Sequence, residues 1–127
     1  MPMKWFKKLF SKKRVNASVP PIPPMEEIIE HLYGEPPKLS DGEMIRVIYS
    51  IDRTKRFFIF KSAKGFYKYT YEEICVYDEL DWEYFAFVEN AYPGWWEPKG
   101  AEGYSFFGTA EEALTALKSE STYNLYF

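Results

Sequence analysis

Residues 44–74, MIRVIYSIDRTKRFFIFKSAKGFYKYTYEEI, decide the fold. Ile45, Val47, Tyr49 and Ile51 alternate with Met44, Arg46, Ile48 and Ser50, the two-residue period of a strand with two unlike faces. Asp52-Arg53-Thr54-Lys55 then reads as a turn, and Phe57 to Lys61 as a second strand. Ala63-Lys64-Gly65 is a tight connection into a third strand, Phe66 to Ile74. Three strands joined by such short links can only return antiparallel, because a parallel return needs a crossover of a dozen or more residues. The stretch therefore predicts a β-meander.

Outward from it the period changes to that of a helix. Met25, Ile28, Ile29 and Leu32 fall at i, i+3, i+4 and i+7, opposite Glu26, Glu27, Glu30 and His31. This predicts a short helix over 25–33, stopped by Gly34 and Pro36-Pro37. Near the other end, Thr109-Ala-Glu-Glu112 is a capping box, and Ala110, Ala113, Leu114 and Leu117 supply the apolar stripe of a helix ending near Ser119. Between them the chain is harder to read. Tyr77 to Asp81 breaks the alternation, and Trp82 to Val88 fits a fourth strand and a short helix about equally. Asn90 to Gly103, with Trp95-Trp96 inside it, reads as a loop because of Pro93-Gly94, Pro98 and Gly100. Tyr104 to Phe107 reads as one last short strand, and the apolar end at Phe127 as a tail packed back on the sheet. The expected fold is α+β: an antiparallel meander of four or five strands with a short N-terminal and a C-terminal helix packed on it.

The 127 residues suit one domain. Val15 to Pro24, VNASVPPIPP, carries four prolines and reads as an extended linker. It separates a tip and linker, residues 1–24, from a single domain over 25–127. Residues 1–14 hold six basic side chains and no acid, leaving ten basic residues against all nineteen acids in the rest of the chain. On a helix of about 100° per residue, Trp5, Phe6, Leu9 and Phe10 share an arc of about 140° that excludes Lys4, Lys7 and Lys8.

That pattern predicts weak, reversible contact with an anionic membrane surface through Lys4, Trp5, Phe6, Lys7, Lys8, Leu9 and Phe10. A solvated tail, or a tail that binds a partner or nucleic acid, are the other readings. Lys7 and Lys8 interrupt the only apolar run that might serve as a secretory signal, which needs about 7–15 apolar residues. No stretch reaches the roughly 20 apolar residues of a membrane span. Cys75 is the only cysteine, so no disulfide forms within the chain, and a cytoplasmic setting is expected, with the tip at the inner face of the membrane.

Enzyme chemistry finds little support, and neither a cofactor nor a catalytic residue is assigned. His31 is the only histidine and lies on the polar face of its helix, leaving Cys75 and the serines without a base in sequence reach. One Cys and one His rule out the usual zinc ligand sets. Asp78-Glu-Leu-Asp81-Trp-Glu83 lacks the spacing and central Gly of a calcium loop, and Gly100-Ala-Glu-Gly103 puts an acid where phosphate would approach.

The acidic segment is more informative. From Tyr69 to Pro98 there are eight acids and no Lys or Arg, with Tyr and Trp interleaved. Aromatic anchors in an acidic field suit capture of a basic protein partner, and the candidates are Asp78, Glu79, Asp81, Trp82, Glu83, Tyr92, Trp95 and Trp96. The same field repels nucleic acid. The alternative is a carboxylate-dependent enzyme or carbohydrate-binding module using residues 71–98. In its Gly65-Phe-Tyr-Lys-Tyr, Tyr92-Pro-Gly-Trp-Trp and Thr109-Ala-Glu-Glu-Ala pattern, the chain resembles small bacterial α+β proteins of unassigned role, toxin-immunity-like ones among them. That resemblance implies a non-enzymatic, partner-sequestering role and assigns no residue.

Overall fold

The computed structural model describes residues 19–39, 41–100 and 106–127. Four strands, β1 (Glu43–Tyr49), β2 (Lys55–Lys61), β3 (Tyr67–Val76) and β4 (Gly94–Pro98), form one antiparallel sheet in the order β1-β2-β3-β4. The helices among the described residues are α1 (Met25–Leu32), α2 (Glu79–Phe85), α3 (Ala110–Lys118) and α4 (Ser121–Tyr126). The fold is α+β, and its first three strands are the meander.

Alternation along β2 sorts the core into two halves. Phe57 and Ile59 face one way and, with Tyr71 from β3, meet Ala113 and Leu117 of α3. Tyr123 and Phe127 close the same side, so the C-terminal end packs on the sheet as expected. Ile74 and Trp96, paired across β3 and β4, belong to the second half, where Ile28 and Leu32 of α1 cover them. The approach of α1 to β4 is close: a Cβ added at Gly94 would stand 2.7 Å from Ile28 Cγ2.

On the α1 side of the sheet lies a buried ion pair. Arg56 and Glu72 are register partners on β2 and β3, 1% and 5% exposed. Arg56 Nε donates to Glu72 Oε1 at 2.7 Å, while Nη1 donates to the Glu35 carbonyl and to the Tyr49 hydroxyl. The guanidinium carbon also lies 4.1 Å from the centre of the Trp96 ring, a cation–π contact.

Local chemistry explains the turn and the last long helix. Asp52 Oδ1 accepts from the Thr54 amide at 3.0 Å and from the Thr54 and Ser50 hydroxyls, closing the β1–β2 turn. These bonds, the Thr54 amide foremost, hold the Asp52 carboxyl below the usual carboxylate range. At α3 the Thr109 hydroxyl accepts from the Glu112 amide at 3.1 Å and donates to the Glu112 carboxylate at 3.2 Å. Replacing Thr109 with alanine is expected to cost about 1 kcal/mol, read as a lowered denaturation midpoint. An unchanged midpoint would show that this cap contributes nothing.

One open reading is decided and two sequence expectations are corrected. The ambiguous stretch 82–88 contains no strand: α2 begins at Glu79, with Asp78 Oδ1 capping the Asp81 amide at 2.8 Å. The expected loop over 90–103 contains β4. Its end at Pro98 suits an edge strand, where a missing N–H leaves no ladder partner unsatisfied. Among the described residues, the expected strand at 104–107 reduces to one bridge, Tyr67 with Phe107; residues 104 and 105 lie outside the description. Packing on the body also starts ahead of Pro24, because the Pro20 carbonyl accepts from Trp82 Nε1 at 2.7 Å and Ile22 joins the Ile28 cluster.

Candidate binding surface

Where β3 ends, Tyr77 turns the chain into α2, its amide donating to the Pro93 carbonyl at 2.9 Å. The Tyr77 ring lies 6.2 Å from Trp82, 5.2 Å from Phe85 and 4.7 Å from Trp95, centre to centre. Trp82 and Phe85 are three positions apart, so helical geometry turns both inward onto Tyr77. With Trp82 also tied to Pro20, the helix sits on an ordered aromatic base.

That base decides what faces solvent. Asp78 and Glu79 are exposed; Asp81 and Glu83 are half-buried. Tyr84, on the side of α2 away from Trp82, is 62% exposed, and Phe87 and Val88 just beyond the helix are 56% and 59% exposed. These three large apolar groups stand exposed within five consecutive positions, with exposed Glu89 next and exposed Asp78 and Glu79 ahead of them in the chain: an acid-rimmed apolar tip in sequence. The sequence reading passed over them, although the Asp78 cap followed by the Trp82–Phe85 spacing is the signal that turns Tyr84 outward.

The eight candidates therefore separate. Asp78, Glu79, Asp81, Trp82, Glu83 and Trp95 are gathered at this end of the sheet, but Trp82 is buried as part of the base rather than presented at the surface. Trp96 is buried on the α1 side and donates from Nε1 to the Leu32 carbonyl at 3.0 Å. Tyr92 also belongs to that side, stacked on His31 with 3.7 Å between ring centres and 10° between planes. Burial, and then the charge of Glu27, raises the Tyr92 hydroxyl pKa. The membrane candidates, Lys4, Trp5, Phe6, Lys7, Lys8, Leu9 and Phe10, lie outside the described residues.

A carboxylate pair exists at Glu73 and Glu97, register partners on β3 and β4. Each accepts a hydrogen bond from an aromatic donor two residues earlier in its own strand: Tyr71 hydroxyl to Glu73 and Trp95 Nε1 to Glu97, both at 2.7 Å. Burial, reinforced by the bond to Glu73, pushes the Tyr71 hydroxyl pKa well above its ordinary value. The donors offset the repulsion expected of like charges placed opposite one another. Cys75 is half-buried. Among the described residues no group of three or more His, Cys, Asp or Glu is placed to hold a metal ion, and no helix is long and apolar enough to cross a membrane. Comparison of the chain with models of protein families, with characterised proteins and with solved structures finds no match.

Proposed function

We propose that this chain is a non-enzymatic binding domain that sequesters a basic protein partner, in the manner of an immunity protein. The acid-rimmed apolar tip at α2 is the observation that carries the reading. Tyr84, Phe87 and Val88 stand more than half exposed on a base that stacking and the Trp82–Pro20 bond hold in place. Large apolar groups left exposed close together mark a contact surface more often than singly scattered ones do. A pre-ordered base also lowers the side-chain ordering cost of binding. The surrounding acids, with no Lys or Arg between Tyr69 and Pro98, steer a basic partner toward the tip and speed its encounter.

Photo-crosslinking in the cell of origin tests this. A photoreactive phenylalanine analogue at position 84 or 87 is expected to yield discrete adducts with a basic polypeptide. The same group at exposed Thr115 on α3 should not. Charge reversal of the rim, Glu79→Lys with Glu83→Lys, should lower the yield at 84 about tenfold or more, the scale on which charge complementarity changes encounter rates. Equal yields at 84, 87 and 115, or yields indifferent to rim charge, would overturn the proposal.

A further inference from the structure

We infer that the α2 tip is occupied in the free protein by residues 1–14 of the same chain, which a partner must displace. The inference rests on reading this surface as one that takes basic, apolar polypeptide.

The Trp82 indole holds the Pro20 carbonyl at 2.7 Å, so the N-terminal segment joins the described fold directly against α2. Residues 15–19, the stretch between Arg14 and this anchor, span at most about 17 Å when extended. A helix with its side chains is about 10–12 Å across. Arg14 can therefore reach from the Trp82 side of α2 to the Tyr84 side, which puts residues 1–14 within range of the tip.

Complementarity supplies the attraction. Residues 1–14 carry six positive charges and no acid, together with Trp5, Phe6, Leu9 and Phe10. The surface offers Asp78, Glu79 and Glu89 at its exposed rim, and Tyr84, Phe87 and Val88 for apolar contact. The required affinity is low. A short tether gives an effective concentration in the millimolar range, so an intrinsic dissociation constant of about 1 mM already fills half the sites. Occupancy by the chain's own segment would raise the partner's apparent dissociation constant in inverse proportion to the fraction of surface left open. At half occupancy the increase is about twofold.

The test compares amide ¹H–¹⁵N spectra of the full chain with those of the full-length variant Lys4→Glu/Lys7→Glu/Lys8→Glu. Shift differences are expected to concentrate on residues 78–89, to be unchanged on tenfold dilution, and to collapse in about 1 M salt, where the Debye length is about 3 Å. A spin label on Lys8→Cys, in a Cys75→Ser background, should broaden the amides of residues 84, 87 and 89 more than those of α3. Differences spread evenly over the sheet would overturn the inference. So would effects that disappear on dilution, which would make a second copy the occupant. A segment that responds only to added anionic vesicles would return it to a membrane-surface role. These spectra need no partner. Adducts at 84 and 87 without docking of residues 1–14 would thus reject this inference alone, whereas docking without adducts would reject only the proposed function.

Discussion

Removing the Glu72 carboxylate by Glu72→Ala is expected to destabilise the protein by about 3–5 kcal/mol, the usual cost of leaving one partner of a buried ion pair uncompensated. Arg56 is 1% exposed, so its charge has no route to water once Glu72 is gone. Its remaining contacts, the Glu35 carbonyl, the Tyr49 hydroxyl and the face of Trp96, soften the loss without replacing the opposite charge. Domains of this size hold roughly 5–15 kcal/mol in all, so the variant should show a large drop in denaturant midpoint. The double variant Arg56→Met/Glu72→Leu is expected to recover most of the loss, because apolar groups of similar volume carry no desolvation penalty. A Glu72→Ala midpoint shift worth under 1 kcal/mol would show that the pair is hydrated. The site matters beyond stability. Arg56 touches the Trp96 ring, and Trp96 shares β4 with Trp95, whose ring is part of the base under α2.

Phe57→Ala should cost a similar amount, about 3–5 kcal/mol, by a different mechanism. Phe57 is fully buried, and its ring lies 4.8 Å from Tyr71, 5.1 Å from Phe127, 6.1 Å from Tyr69 and 6.4 Å from Tyr123. Truncation removes apolar burial and also the aromatic contact that seats α4 against the sheet, leaving a cavity that strands on either side cannot close. Phe57→Leu keeps most of the volume and should lose well under half as much. Equilibrium denaturation of the two variants reads both terms, and equal losses would exclude a cavity contribution. Tyr84→Ala provides the contrast. At 62% exposure it should change stability by no more than about 0.5 kcal/mol, so any loss of crosslinking or docking in that variant reports binding rather than folding.

The parts of this fold that the sequence determined by itself are those set by neighbours in the chain. Strand alternation from Met44 onward depends on residues two apart, and it placed β1, β2 and β3 within a few positions of where they lie. The α1 stripe and the Thr109 box depend on residues three and four apart, and Ile28, Leu32, Ala113 and Leu117 are buried accordingly. Net charge is additive along the chain, so the contrast between residues 1–14 and the acidic remainder also needed no structure.

Tertiary structure alone decided what depends on distant partners. Gly94–Pro98 has loop chemistry locally and became a strand because β3 offered a free edge, with Ile74 opposite Trp96. Trp82 and Trp96 look like surface anchors beside acids, yet their indoles donate to Pro20 and Leu32, 62 and 64 residues away. Arg56 and Glu72 read as ordinary charged positions until antiparallel register set them side by side and α1, the loop after it and β4 excluded water. The candidate surface shifted for the same reason. Packing Trp82 and Phe85 onto Tyr77 fixed the orientation of α2, and that orientation turned Tyr84 outward and left Phe87 and Val88 exposed beyond its end. Exposure is a property of what covers a residue, and the covering groups here lie far off in the chain.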